Sequence, residues 1–143
     1  MNAHGRRNRA TLLWASAKVD RLLSADERAA TVDDLRKLQL ADGGWNLPAL
    51  GPYPKRRGDI PNAMDVSDGY ATGFVTFVLH QAGVPADDPA LKKAVDWLLK
   101  NQRESGRWFT ASVGGGKAHY ITNAGSAFAV LALDACGVEL EGK

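Results

Sequence analysis

Several features that would narrow the function are scarce or absent in this sequence of 143 residues. It has one cysteine, Cys136, so no disulfide bond can form within the chain. The formal net charge is only +2, which gives no general attraction to nucleic acid or to an anionic membrane. No stretch approaches the ~20 apolar residues that a transmembrane helix needs. These absences exclude a disulfide scaffold, nucleic-acid binding by bulk charge, and a membrane span as organising features.

Strand signals are also sparse, because few β-branched residues alternate with polar ones. Alanine, leucine, lysine and arginine dominate the periodic segments instead. The hydrophobic fraction of 45% and the charged fraction of 24% are ordinary for a globular protein. Composition and length therefore predict one all-α domain.

The strongest pattern is a motif that occurs twice. Residues 39–45 read QLADGGW and residues 102–108 read QRESGRW, so both fit Q-x-x-x-G-x-W. The shared positions are Gln39, Gly43 and Trp45 in the first copy and Gln102, Gly106 and Trp108 in the second. Each copy ends a charged amphipathic segment. Two copies in a chain of this length indicate a repeat protein.

Helices are predicted over residues 10–23, 25–40, 67–82, 89–102 and 120–136, from apolar spacing and end signals. Ser24 and Glu27 form a capping-box pattern, and Asp88 precedes a proline at a helix start. Residues 1–9 are predicted to be a basic N-terminal tail, and 10–143 a single domain. Its long loop, 46–66, holds most of the prolines and is either functional or a solvated insertion.

A constant shift aligns the later apolar helices with each other. It pairs Phe74 with Phe128, Leu79 with Leu133, Gly83 with Gly137 and Val84 with Val138. Buried and amphipathic helices therefore alternate, which predicts about two and a half stacked α-hairpins. The open end should expose apolar surface, so we expect the chain to belong to a larger one or to self-associate.

On its two motifs the chain resembles the QW-repeat superfamily of squalene–hopene cyclases and prenyltransferases. The segment from Asp65 to Val138 carries the most specific likeness, to part of the C-terminal cyclase domain. The resemblance implies a partial α/α-toroid (α/α-barrel) fold. It also implies a structural role for the motif, in which the glutamine caps a neighbouring helix and the tryptophan stacks on it.

The catalytic pattern of such cyclases, D-x-D-D, is incomplete in this sequence. Its central aspartate protonates an alkene, which requires a carboxyl that is a strong proton donor. The nearest match is Asp65-Val66-Ser67-Asp68, with serine at the donor position. Asp65 and Asp68 are thus the catalytic candidates, and the alternative is that they cap the third helix.

Five aromatic residues lie on the helices that the repeat makes internal: Tyr70, Phe74, Phe77, Tyr120 and Phe128. In a cyclase-like barrel they would line a site for a long apolar isoprenoid, where π faces stabilise carbocations. The alternative is that they form ordinary core, because aromatic residues at helical spacing usually pack together.

Protein prenyltransferases hold zinc with an Asp-x-Cys pair and a distant histidine. Asp134-Ala135-Cys136 matches the pair, but His80 and His119 both precede it and no histidine follows. Zinc needs three protein ligands and an open position for catalysis. We therefore predict no metal and no other cofactor.

The sequence predicts a cyclase-like domain that lacks the proton donor and would bind an isoprenoid if its barrel were completed. An active enzyme of this kind would be an intramolecular transferase, but we do not expect activity from this chain alone. The alternative is a non-catalytic helical scaffold that binds a protein or a hydrophobic ligand. A cytoplasmic or membrane-peripheral location is favoured.

If the ring of Trp108 is buried, Trp108→Ala should lower the free energy of unfolding by roughly 3–5 kcal/mol through lost burial and the cavity left behind. Urea unfolding of the two proteins measures this difference. An unchanged midpoint would mean that the tryptophan lies on the surface.

Overall fold

The computed structural model describes residues 3–51, 53–115 and 119–139, and this part of the chain is mostly helical. Its helices are α1 (Ala3–Ala15), α2 (Ala25–Lys37), α3 (Gly69–Gln81), α4 (Pro89–Asn101) and α5 (His119–Ala135). A 3₁₀ turn at Pro48–Leu50 precedes a small antiparallel hairpin of β1 (Lys55–Arg56) and β2 (Ile60–Pro61). Among these residues, no helix is both long and apolar enough to cross a membrane.

The predicted starts of α2 and α4 are confirmed. The backbone N–H of Glu27 donates to Ser24 Oγ at 3.2 Å, and the Ser24 N–H donates to Glu27 Oε2 at 2.9 Å. This capping box satisfies N–H groups that have no partner inside α2. At α4, the Asp88 carboxylate accepts from Ala90 N–H at 2.9 Å, with proline as the first helical residue.

Helix α3 lies at the centre of the fold, buried on nearly all sides and in contact with α1, α4 and α5. Its contact with α5 depends on two glycines. A Cβ on Gly73 would lie 2.5 Å from the backbone N of Ala129, and a Cβ on Gly125 would lie 2.9 Å from the backbone N of Tyr70. The two backbones can therefore approach this closely only where the side chain is a hydrogen atom.

The helices form two rows. Helices α1, α3 and α5 are successive neighbours, while α2 packs on α1, and α4 packs on α3 and α5. Helix α5 was predicted to be a buried helix, but only one of its faces is buried. Ala129 and Leu133 lie in the core, but Val130 and Leu131 are 43% and 44% exposed.

The first helix lies earlier in the chain than the predicted 10–23. Residues 3–9, predicted as a tail, form the first half of α1, and the helix ends at Ala15. The Ser16 hydroxyl donates to Leu13 O at 2.7 Å, so it competes for a helix carbonyl at this end. The apolar spacing beyond Ala15 predicted that the helix continues to residue 23. That prediction was wrong, and Val19 and Leu22 are 53% and 41% exposed.

The segment 46–66 contains more regular structure than the predicted loop. Between the two strands of its hairpin, Gly58 and Asp59 adopt positive φ angles of 79° and 56°. Glycine and aspartate tolerate this left-handed conformation, which reverses the chain. The Gly58-Asp59 pair was the available sequence signal for the hairpin, but the strands are too short to show alternation.

Gly73→Ala should lower the free energy of unfolding by about 1–3 kcal/mol, since the new methyl group forces α3 and α5 apart. Helix propensity alone would instead raise stability by roughly 0.5–1 kcal/mol. Gly114→Ala is the control, because a Cβ there meets nothing within 4 Å. Urea unfolding measures the free energy of unfolding of both variants. If Gly73→Ala were as stable as the wild type, the close contact between α3 and α5 would be contradicted.

Candidate functional site

The two motif glutamines make the same local hydrogen bond. Gln39 Nε2 donates to Gly43 O at 2.8 Å, and Gln102 Nε2 donates to Gly106 O at 3.1 Å. Both glycines adopt positive φ, 94° and 76°, at the turn that follows the outer helix. The glutamine therefore fixes a turn whose geometry favours glycine.

The two motif tryptophans bond to the C-terminal ends of the helices that precede them. Trp45 Nε1 donates to Leu35 O at 2.7 Å, and Trp108 Nε1 donates to Leu98 O at the same distance. Each carbonyl lies in the last turn of its helix, and Leu35 O also accepts the backbone N–H of Leu38 at 3.2 Å. Both rings are buried, at 0% and 2% exposure. The condition for the predicted cost of Trp108→Ala is therefore met.

The motif backbone then joins the inner helices. Trp45 N–H donates to Thr72 Oγ1 on α3, and Trp108 N–H donates to Ser126 Oγ on α5, both at 3.0 Å. The constant shift that aligns α3 with α5 also pairs these two hydroxyl residues. The two motifs are thus equivalent in their contacts as well as in their sequence.

Asp68 occupies the start of α3, between the two segments that leave the motifs. Its carboxylate accepts from Ala71 N–H at 2.8 Å, from Leu47 N–H at 2.6 Å and from Thr110 Oγ1 at 3.4 Å. The side chain is buried, which raises the pKa of Asp68 to about 6, while these hydrogen bonds act in the opposite direction. Sequence reasoning identified the N-cap position but not the contacts with Leu47 and Thr110, which involve a backbone group and a distant loop.

The other residues of the D-x-x-D match play different parts. Asp65 is exposed. Ser67, at the position of the proton donor, donates its hydroxyl hydrogen to Asp42 Oδ1 at 2.6 Å. Only Asp68 of the two candidate aspartates is therefore held in a buried site.

A cavity of ≈ 90 Å³ lies beside Asp68. It is lined by Asn46, Pro48, Asn62, Ala63, Val66, Ser67, Asp68, Phe109 and Ala111. Pockets for drug-sized ligands usually measure about 300–1,000 Å³. This cavity can hold water or a very small molecule, but it cannot enclose an isoprenoid chain.

Four of the five aromatic candidates pack together in a cluster around Phe128. Its ring centroid lies 5.1 Å from that of Phe74, 5.5 Å from that of Tyr70 and 6.4 Å from that of Phe77. Trp14 of α1 joins them, 5.3 Å from Phe77. These edge-to-face and tilted contacts are typical of a packed aromatic core. We call these five residues the aromatic cluster.

Tyr120, the fifth aromatic candidate, is 75% exposed near the start of α5, so the structure does not bring it into the cluster. Tyr120 was predicted to join the other aromatic residues because it lies on the same helix as Phe128. The sequence does not show which face of α5 is covered. The contact of Trp14 with this cluster could not be predicted from helical spacing.

The Asp-x-Cys pair gains no further support as a metal site. Asp134 is exposed, and burial raises the pKa of the Cys136 thiol, which disfavours the thiolate that binds zinc. Among the residues that the structure describes, no three His, Cys, Asp or Glu side chains converge on a point that could hold a metal ion. The side chain of His119 lies outside the described residues.

Known proteins similar to this chain are cyclases. It is 39% identical over 74 residues to the squalene–hopene cyclase of Bradyrhizobium diazoefficiens, covering 48% of this chain and 11% of that protein. The chain is similar to squalene–hopene cyclases. The squalene–hopene cyclase of Zymomonas mobilis is 30% identical to this chain over 105 residues, covering 59% of this chain and 16% of that protein. No protein-family model and no solved structure matches.

The resemblance inferred from the motifs is confirmed as a partial, moderate-identity match over about half of the chain. The chain spans less than a fifth of the length of either squalene–hopene cyclase. Similarity over so short a part supports a relationship with these enzymes, and it does not transfer their activity.

Stability should fall as pH rises through the range in which Asp68 ionises. The pKa of this carboxyl is about 6 when folded against 3.8 as the reference value, so between these values the folded state binds more protons. The free energy of unfolding then decreases with rising pH. Two pKa units set an upper limit of about 3 kcal/mol.

Urea unfolding at pH 4.5, 6 and 7.5 would measure this slope, with Asp68→Asn expected to remove it. At pH 7.5 the variant should be less stable than the wild type by about 1–3 kcal/mol, because an amide cannot accept both backbone N–H groups, and the difference should grow as the pH falls. Asp65→Asn, on an exposed carboxyl, is the control. The same pH dependence of stability in the wild type and in Asp68→Asn would contradict the assignment of that dependence to Asp68.

Proposed function

We propose that this chain is a wall segment of a cyclase-like α/α toroid and binds a long apolar isoprenoid once that wall is completed. Helices α1, α3 and α5 would form the inner wall, and α2 and α4 the outer wall. The observation that carries the proposal is the repetition of contacts at the two motifs, which join each outer helix to the next inner one. Similarity to two squalene–hopene cyclases supports the substrate class.

The aromatic cluster is the surface best suited to such a ligand. Tyr70 and Phe74 are buried, whereas Trp14, Phe77 and Phe128 are partly exposed on the inner row. Exposed aromatic edges and faces offer dispersion contacts to a polyene, and their π faces attract cationic intermediates. The ≈ 90 Å³ cavity at Asp68 is too small for this role.

The chain would contribute binding surface rather than the proton donor. Protonation of an alkene requires a strong acid, yet the pKa of Asp68 is raised to about 6. Both carboxylate oxygens of this residue also accept backbone N–H groups, which gives it a structural task. A purely non-catalytic scaffold is the second candidate, favoured by the close packing of the aromatic rings.

Squalene binding separates these candidates, and a product assay tests the absence of catalysis that both imply. Squalene incubated with the purified chain should yield no cyclised hydrocarbon by gas chromatography and mass spectrometry. Radiolabelled squalene should nevertheless bind saturably, and Phe77→Leu should weaken binding about 2- to 10-fold by removing a ring contact. Phe109→Leu is the matched control, because that ring is 45% exposed and outside the cluster.

Cyclised product formed by this chain would overturn the non-catalytic assignment. Absent squalene binding would favour the scaffold over the ligand-binding wall. Equal binding by Phe77→Leu and Phe109→Leu would move the ligand away from the aromatic cluster.

A further inference from the structure

The cavity beside Asp68 opens onto the protein surface. Val66 and Phe109, which line it, are 58% and 45% exposed, and the lining residues Ala63 and Ala111 are exposed as well. The opening is therefore accessible from solvent and bordered by apolar side chains.

The polar side chains of the lining are already hydrogen-bonded to other groups. The side-chain amides of Asn46 and Asn62 each donate to two backbone carbonyls. The Ser67 hydroxyl donates to Asp42, and the Asp68 carboxylate accepts from backbone N–H groups and from a threonine hydroxyl. A buried water needs about two to four polar partners, so this lining suits an apolar occupant better than water.

The size of the cavity limits this occupant to a small aliphatic group. An apolar protein cavity of about 150 Å³ binds benzene. By proportion, the ≈ 90 Å³ beside Asp68 holds roughly three or four carbon atoms. A valine or leucine side chain has this size.

A cation is held in place at the same opening. The guanidinium carbon of Arg103 lies 4.6 Å from the centroid of the Phe109 ring, within the range of a cation–π contact. Arg103 is exposed, and among the described residues no carboxylate pairs with it. Because the ring orients the guanidinium, a carboxylate that binds there loses less entropy than it would with a freely moving side chain.

We infer that this cavity is the anchor site for a short acidic segment of a partner protein. One aliphatic side chain of that segment, a valine or a leucine, enters the cavity, and a neighbouring glutamate or aspartate pairs with Arg103. The surrounding charge also favours an acidic partner, because Lys55, Arg56 and Arg57 are exposed in the segment 46–66 that forms one side of the cavity.

Apolar side chains around the opening favour a protein segment over a free carboxylic acid. Met64, close in sequence to Val66, is 45% exposed, as is Phe109. A short acid that filled the cavity would leave these side chains in water, whereas a peptide crossing the opening would cover them. An anchor residue in a pocket, surrounded by contacts that exclude water, is the usual arrangement at protein interfaces.

The same surface is less suited to an anionic membrane. Asp59 lies at the tip of the hairpin, 3.7 Å from Lys55 Nζ, and Asp65 is also exposed. A planar anionic surface would bring both carboxylates against charged lipids. A protein segment can instead place each of its charges opposite a suitable partner.

The test uses the intact chain and a fluorescein-labelled peptide in which one valine lies between two glutamates in a glycine–serine background. Fluorescence anisotropy should show saturable binding with a Kd below about 1 mM. Replacing the valine by threonine, which has the same shape but carries a hydroxyl group, should weaken binding at least about fivefold. This change is made in the peptide, so it cannot affect the folding of the protein.

Protein variants then locate the contact. Ala111→Leu places a larger side chain at the opening and should abolish saturable binding, and Ala30→Leu, at an exposed position of α2, is the matched control. Arg103→Gln should weaken binding about 2- to 5-fold at low salt. Arg107→Gln, at an exposed arginine of the same turn, is its control. Circular dichroism would confirm that all four variants remain folded.

No saturable binding up to about 1 mM peptide would overturn the inference. So would equal binding of the valine and threonine peptides, undiminished binding by Ala111→Leu, or equal losses in the two arginine variants. A dimer by light scattering, or binding to phosphatidylserine vesicles, that Ala111→Leu abolishes would also overturn it, since a second copy or a membrane would then be the occupant. The inference does not use the proposed isoprenoid site, so either can fail without the other.

Discussion

The structure depends on one hydrogen bond that is made twice, from a buried indole N–H to the carbonyl at the end of an outer helix. Trp45 makes it to Leu35, and Trp108 makes it to Leu98, each at 2.7 Å. Each carbonyl lies in the last turn of its helix, and the buried ring packs against that helix end. Because the tryptophan backbone also bonds an inner-helix hydroxyl, a single residue sets the position of an outer helix relative to the next inner one.

Asp68 shows how the two repeats differ within the same framework. The shift that aligns α3 with α5 pairs it with Thr122, whose hydroxyl contacts Thr110 as the carboxylate of Asp68 contacts Leu47. A neutral hydroxyl suffices at the second site, so the repeat does not itself require a carboxylate. The buried acid therefore belongs to the first site, where it accepts hydrogen bonds from both segments that leave the motifs.

Much of the fold could be predicted because its determinants are local. The Ser24 capping box, the Asp88-Pro89 helix start and the two motifs depend on neighbours a few residues apart, and each was found where expected. The mostly helical class follows from the same local signals. The end of α1 was harder to predict, because exposed Val19 imitates a core position in the sequence.

The candidate site was less predictable because its members meet through tertiary contacts. Asp68 could be identified as an N-cap, but its bond to Leu47 involves a backbone N–H that carries no sequence signal. Helical spacing grouped Tyr120 with Phe128, although it could not show that α5 leaves one side uncovered. Sequence periodicity identifies faces, and only the packing decides which of them are buried.

The start of α3 also links the stabilities of the two repeats. Asp68 N–H donates to Trp45 O at 2.9 Å, and Gly69 N–H donates to Phe109 O at 3.1 Å, so adjacent residues bond the exits of both motifs. In simple repeat arrays a terminal unit can fray while its neighbour stays folded. Here, opening either motif exit would expose the same helix start, so we expect the two hairpins to unfold as one cooperative unit.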